Sequence, residues 1–378
     1  MKIIASGNQN EHVTNSDQSN ENNKECPNVL KYMTYGHWKP RIVSREEVQK
    51  MDAFLLRARS QHFLPANLQR RDGKCGNVSF EDIRLKWFRP LCHPKGPTPC
   101  CYNNVCANKS IEDCVCKDCY DMRTSINAEH ADWIPNHKYC QVPSRTAHEL
   151  CDFVKGSKIF FMGDSFIRHI YLAFILLLKD NLFDGAIRPG TYKGLHDSCT
   201  GLDMFTEKQC RSLLDQFSTL CNSTVYLYFN EFASTKHGTQ IQQVMNTHAR
   251  DPKAYFIVGT GLHDGFKITR TWNKILSPVL NFWKTQGVDT SKFLWHAMHA
   301  PGLLKTPFKP SQHRHNVIKY NKAMKKLLTE YNVPIFETFN LTDGVNSFDG
   351  PHYGQGVNLL KAKIILEFFR EQRSNKTL

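Results

Sequence analysis

The sequence predicts an α/β fold: a doubly wound parallel sheet of about five strands with a cysteine-rich N-terminal cap. Three observations carry this. From Cys151 onward, short apolar runs alternate with helical segments, a rhythm that joins parallel strands by right-handed crossovers. The sharpest run, Ile159-Phe160-Phe161-Met162, is continuous rather than alternating, as expected of a strand covered on both faces. And eleven of the fourteen cysteines fall between Cys26 and Cys151, where helical or strand periodicity is scarce, so that region reads as held by disulfides.

In chain order, residues 1–25 are polar and rich in Asn, Gln, Ser and Glu, the composition of a disordered segment. Ile3, Ile4 and Ala5 are too few for a signal-peptide core. Residues 26–150 form the cap. Within it Arg45–Arg59 reads as a helix, because Val48, Met51, Phe54 and Leu55 share a face. Leu91–Tyr120 is loop-like, and its disulfide connectivity is open. Residues 151–378 hold the main domain. Strands are expected at Lys158–Met162, Val225–Phe229, Tyr255–Gly259, Phe293–His296 and Pro334–Thr338. Helices are expected at Ser165–Lys179, about Thr271–Thr285, Gln312–Tyr331 and Gly356–Glu371. Cys199, Cys210 and Cys221 lie outside the cap, and at least one is expected to pair with a cap cysteine.

Composition narrows the function. The chain has 378 residues, 40% hydrophobic and 22% charged. No apolar run approaches the ~18 residues of a membrane span. The net charge is +14, a surface that attracts polyanions. Lys and Arg are dispersed and no nucleic-acid motif is present, so an acidic glycan or a membrane surface is the expected partner, unless the charge only keeps the surface soluble. Sequons at Asn77, Asn108, Asn222, Asn340 and Asn375, with an even cysteine count, favour the secretory pathway. A targeting segment is expected upstream of this sequence. The competing reading is a cytosolic protein with zinc on Cys114, Cys116 and Cys119.

The chemistry concentrates in two motifs. Phe161-Met162-Gly163-Asp164-Ser165-Phe166-Ile167-Arg168-His169 sits where the first strand meets the first helix. Gly163 permits the tight turn. Ser165 falls at the helix N-terminus, whose free N–H groups favour developing negative charge. Asp164 caps the helix, and Arg168 can hold a carboxylate or substrate. Alone, Gly-Asp-Ser is also an ordinary N-cap. The second motif is Phe348-Asp349-Gly350-Pro351-His352-Tyr353-Gly354, after the last strand. Its spacing lets Asp349 orient the His352 imidazole and leave the other ring nitrogen for Ser165. In a doubly wound sheet both loops open on the same edge.

Those residues carry a resemblance. Gly163-Asp164-Ser165 and Asp349-x-x-His352 resemble the first and last blocks of SGNH hydrolases. The longer forms Gly-Asp-Ser-Phe-Ile-Arg-His and Asp-Gly-Pro-His-Tyr-Gly look most like the PC-esterase branch. That branch includes the trichome-birefringence-like proteins, the sialic acid O-acetyltransferases and the neurexophilin/PC-esterase proteins. The resemblance spans roughly Cys151–Arg373 and implies a flavodoxin-like three-layer sandwich with a Ser165–His352–Asp349 triad. The implied chemistry is O-acyl transfer or hydrolysis, usually of acetyl groups on sugars, in the Golgi lumen or outside the cell. It implies no metal and no bound cofactor; acetyl-CoA or another acetyl donor would be a co-substrate. It further suggests Gly194 for the second-block glycine. The third block is Gly259-Thr260-Gly261-Leu262-His263-Asp264, where His263 replaces the family's Asn. Ser165, Gly194, Gly261 and His263 are thus the oxyanion-hole candidates.

Asp164, Arg168, His296 and His299 are candidate pocket residues. His296 and His299 offer two metal ligands without an evident third. Two other readings remain: a non-catalytic secreted module that binds glycan or protein, and a lipid or general esterase of the same fold.

Overall fold

The structure is a computed structural model, which describes residues 25–206, 210–306, 308 and 313–377. The expected disordered segment up to Lys24 and the helix start at Gln312 lie outside the described residues. The strands are β1 (Gly36–Pro40), β2 (Cys100–Tyr102), β3 (Val105–Ala107), β4 (Tyr120–Asp121), β5 (Ala131–Pro135), β6 (Lys158–Gly163), β7 (Phe217–Leu220), β8 (Val225–Glu231), β9 (Ala254–Gly259), β10 (Phe293–His296) and β11 (Ile335–Phe336). One six-stranded sheet runs β11-β10-β9-β6-β8-β7. Five of its strands are parallel, and β7 adds an antiparallel edge on β8. Numbering the parallel strands by sequence gives the order 5-4-3-1-2, the flavodoxin-like winding. The five expected strands are all present; the edge strand β7 was not expected.

The pleat of β6 explains its continuous apolarity. Ile159 and Phe161 point into one core with the Ser165–Leu178 and Gln355–Thr377 helices. Phe160 and Met162 point into the other, against Gly238–Thr247, Ser277–Thr285 and Arg314–Thr329. Alternation across a strand therefore feeds two cores at once. The Ser165–Leu178 helix is buried along its whole length, matching its all-round apolar sequence.

Two departures have local causes. The helix expected from Thr271 contains a π turn at Trp272–Leu276, between Ile268–Thr271 and Ser277–Thr285. Pro278 has no N–H for the Lys274 carbonyl, which instead accepts from Gln242 Nε2 at 2.9 Å. The strand expected over Pro334–Thr338 shrinks to two residues. Beyond Phe336, the Thr338 hydroxyl takes over by donating to Ala297 O at 2.8 Å.

All fourteen cysteines are paired. Cys26–Cys140 joins two N-terminal segments whose Val29, Met33 and Trp133 lie in the core of the sheet itself, while Cys75–Cys101, Cys92–Cys106, Cys100–Cys114 and Cys116–Cys119 hold the intervening region, the cap proper. The main domain holds Cys151–Cys221 and Cys199–Cys210. This overturns the zinc reading, because Cys114, Cys116 and Cys119 have no thiolate to offer. It also corrects the expected tie between Cys199, Cys210 or Cys221 and the cap. The cap is joined by backbone and packing instead: Arg89 N–H donates to Leu304 O at 2.8 Å, Ile126 N–H to Gly344 O at 3.1 Å and Asn346 N–H to Ile126 O at 2.7 Å. Phe54 of the Arg45–Ser60 helix meets Phe348 edge-on, with ring centroids 5.8 Å apart. Seven disulfides belong to a protein of an oxidising compartment. Asn77, Asn108 and Asn222 are exposed. Among the described residues no helix is long and apolar enough to cross a membrane.

The joint between β6 and β9 tolerates no side chain at its end. A Cβ on Gly163 would lie 2.1 Å from Gly259 O and 2.6 Å from Ile167 Cγ1. Gly163→Ala is expected to destabilise the fold by about 3 kcal/mol through overpacking, read as a lower denaturant midpoint. An unchanged midpoint would mean the two strand ends can part freely.

Candidate active site

The strand-to-helix turn is built as its sequence suggests. Asp164 is extended and its side chain accepts from Phe166 N–H at 3.0 Å, capping the helix that begins at Ser165. This satisfies one of the orphan donors at that terminus. The Asp164 oxygens are thereby turned inward and the residue is fully buried, so it braces the turn rather than lining a pocket.

The turn after β11 carries the partner. Asp349 Oδ1 accepts from the His352 backbone N–H at 2.9 Å, and Oδ2 lies 2.6 Å from His352 Nδ1. Gly350 between them has φ +98°, a conformation glycine adopts without Cβ strain. His352 Nε2 then lies 2.7 Å from Ser165 Oγ. Burial pushes the Asp349 carboxyl upward, but the His352 charge and hydrogen bond, with His62 beyond, hold it below the usual carboxylate range. An ionised Asp349 fixes the proton on Nδ1 and leaves the Nε2 lone pair facing the Ser165 hydroxyl. The ring is held by Phe348, stacked at 5.9 Å, and by Phe166, edge-on at 5.7 Å.

Behind this chain lies a buried polar column. His299 Nε2 lies 2.7 Å from Pro351 O, and its Nδ1 lies 2.9 Å from Lys361 Nζ. Burial, and then the charge of Lys361, hold His299 neutral. Its Nε2–H therefore donates to the Pro351 carbonyl, while Nδ1 accepts from Lys361. With both nitrogens engaged, His299 steadies the Asp349–His352 turn and has no lone pair left for a metal. His296 is wholly buried, with neither ring nitrogen hydrogen-bonded. Neither histidine is the pocket wall expected from sequence.

Arg168 is buried and pairs with Glu231 at 2.9 Å. Glu231 ends β8 in register with Gly163, so this pair flanks the Ser165 turn. Gly261 is buried with φ +140°, its Cβ direction filled by the Tyr320 ring. His263 is exposed on the same loop. That loop follows β9 and opens beside Ser165's own. Gly194 does not fit its expected place. It is exposed in the short Lys193–Asp197 helix, whereas the chain running past the Gly163 turn follows β8, with Phe232 N–H donating to Gly163 O at 2.7 Å.

Three participants were not singled out in the sequence. Glu231 and Lys361 sit in ordinary strand and helix patterns, and His62 follows a cap helix. Among the described residues, Cys75, Cys92 and Cys106 lie close enough together to suggest a metal site, but their sulfurs are taken up in disulfides.

No family model matches this sequence, and no curated protein matches it. Three solved structures are similar over 57% of this chain. A lipolytic protein of the G-D-S-L family from Veillonella parvula aligns over 98% of its own length at 16% identity, TM-score 0.32. A lipase/acylhydrolase from Enterococcus faecalis aligns over 96% at 15% identity, TM-score 0.33. A variant of an acetyl-xylooligosaccharide esterase from Geobacillus stearmophilus aligns over 94% at 12% identity, TM-score 0.32.

Burial draws the Lys361 ammonium down from 10.5 to about 7, against the pull of Asp164. Between those values the unfolded chain holds a proton that the folded chain does not, so stability rises with pH across that window and the cost is complete below it. Lys361→Met is therefore expected to raise the melting temperature at pH 6, with the gain shrinking toward pH 10. A gain that does not vary with pH would refute this account.

Proposed function

We propose that this protein is a serine-dependent acyl-transfer enzyme, an O-acetyltransferase or O-acetylesterase acting on carbohydrate hydroxyls through an acyl-serine. The observation that carries the reading is the continuous hydrogen-bonded chain Ser165–His352–Asp349 at the carboxyl edge of the sheet. A binding module has no need of a hydroxyl aimed at an oriented imidazole.

In this reading Ser165 Oγ attacks the acyl carbonyl carbon as its proton passes to His352 Nε2. The oxyanion meets the Ser165 N–H at the helix terminus, with Gly261 N–H or His263 as the second donor. The carbonyl re-forms, the donor's leaving group takes the proton from His352, and the acyl group stays on Ser165. A sugar hydroxyl, or water, then gives its proton to His352 and attacks the ester carbon; the bond to Ser165 Oγ breaks as His352 returns that proton to it. Acetyl-CoA or another acetyl donor is the expected co-substrate. Exclusion of water from the acyl-enzyme decides between transfer and hydrolysis. The sequons and disulfides fit a glycoprotein of the Golgi lumen or the extracellular space.

For the acceptor, the reading extends to an acidic sugar held in an open groove of about 620 Å³ lined by Arg168, Arg188, Arg211, Asp215, Phe229 and Glu231, which none of the triad residues lines and which meets the Ser165 turn through the Arg168–Glu231 pair. Three guanidinium groups there face two carboxylates. Arg211 lies against Glu231 and Arg188 against Asp215, and the net charge is positive.

Fluorophosphonate labelling tests the reading: the wild-type protein should label and Ser165→Ala should not. His352→Ala should lose p-nitrophenyl acetate hydrolysis as fully as Ser165→Ala, about 10³-fold or more, since the members act as a unit. Hydrolysis that survives Ser165→Ala would overturn the nucleophile. For the acceptor, Arg211→Gln is expected to weaken inhibition by glucuronate about tenfold and leave inhibition by glucose unchanged. Equal effects on the two sugars would remove the charge argument.

A further inference from the structure

Asp349 is shared between two imidazoles. Its Oδ2, which meets His352 Nδ1, also lies 3.4 Å from His62 Nε2. His62 comes from the cap, in the turn that ends the Arg45–Ser60 helix. His62 N–H and Leu64 N–H both donate to Arg59 O, at 2.9 and 3.2 Å. Phe63 takes a left-handed φ of +62°, a conformation that non-glycine residues seldom adopt and that marks functional sites. The His62 side chain is 18% exposed and its ring meets Phe88 edge-on at 5.9 Å. Both sides of the contact are fixed. Phe54, two turns earlier on the same helix, packs on Phe348, the residue before Asp349. Phe88 is bridged through its backbone to Lys305.

We infer that His62 is a positioning residue, the fourth member of the Ser165–His352–Asp349 chain, and that it tunes how strongly His352 attracts a proton. The inference rests on the acyl-transfer reading only for its kinetic consequences. A proton carried on His62 Nε2, 3.4 Å from Oδ2, draws carboxylate charge away from His352, whether the imidazole giving it is neutral or protonated. His352 is then less basic than a histidine backed by an unshared aspartate. Other charged groups near this contact are Lys305, over the far face of Phe88 and against Gly350, Arg84 over the Phe63 ring, and Arg59 on His62's own helix. On its other side His352 faces His169, ring centroids 5.4 Å apart, and, behind Pro351, His299 and Lys361. Burial draws Lys361 down to about 7, so the field on His352 changes with pH, but all these groups are the same in wild type and in both His62 variants, and the comparison between them isolates His62. The cap is thus part of the reaction centre, not only its cover.

The experiment compares His62→Phe, which keeps a ring against Phe88, with His62→Gln, which keeps an N–H donor. In His62→Phe the His352 imidazole, followed by NMR, should titrate about half a unit to one unit higher. The acid limb of kcat/KM for p-nitrophenyl acetate should move up with it, and kcat should fall several-fold at unchanged KM. His62→Gln should restore both toward wild type. An unmoved His352 titration in folded His62→Phe overturns the inference, as do equal shifts in the two variants. The NMR titration needs no turnover. A shifted titration in a protein that fluorophosphonate does not label would therefore sink the enzyme reading and leave the coupling standing.

Discussion

The carboxyl end of β6 has only one way out, and the candidate active site follows from that. β6 is paired on both edges by β8 and β9 and covered on both faces by apolar cores. Its last residue, Gly163, lies so close to Gly259 O that only a hydrogen fits there. The chain must turn at once into a helix, and that helix is itself buried along its length. Packing therefore sets the helix register, and the register sets where the first hydroxyl falls. Asp164 satisfies the N-terminal donor that the turn would otherwise strand. Ser165 is placed by the sheet rather than by a flexible loop, the fixed placement that a nucleophile requires.

The histidine side is held differently, by polar groups in places where apolar ones would be more stable. Lys361 and His299 are buried, which holds His299 neutral and draws Lys361 down to about 7, and their link ends on the Pro351 carbonyl, one residue before His352. Tyr353 continues the bracing on the other side, its hydroxyl donating to Ala300 O at 2.6 Å. Burying a lysine opposes folding. Its place here is understandable if a rigid turn matters more than maximal stability, a trade typical of reaction centres.

Much of this was legible in the sequence, and what was not has identifiable causes. A strand buried on both faces leaves an unbroken apolar run, so β6 and the Ser165 helix could be read directly. The Asp349–His352 turn was legible because its geometry lies within four residues. β7, Phe217–Leu220, pairs only on one edge and carries mixed polarity, so it leaves no comparable run. The Ala147–Val154 and Gly238–Thr247 helices are short and also went unread. Gly194 was placed by motif order alone, and the excursion between the Ser165 helix and β7 carried it away from the sheet edge. Lys361 lies in a helix where its neighbours look like a solvated stripe, and His62 follows an amphipathic helix with nothing local to mark it. Their partners are far away in sequence, and only the assembled fold brings them into register.

The position of His62 also explains why the cap is built as it is. Its own core is small, gathered around Leu85, Phe88, Leu91, Tyr120 and Met122, and a region with so little apolar interior needs covalent help to stay rigid. Cys75–Cys101, Cys92–Cys106 and Cys100–Cys114 overlap in sequence and stiffen the segment carrying Phe88. Phe88 in turn supports the His62 ring, and Leu304 joins this same cluster from the main domain. A loosely docked cap would shield the site yet let the His62–Asp349 separation wander, and an electrostatic influence that decays over a few ångströms would be lost. The disulfides thus serve two ends: they replace the missing core, and they hold an imidazole from one region at a constant distance from a carboxylate in another.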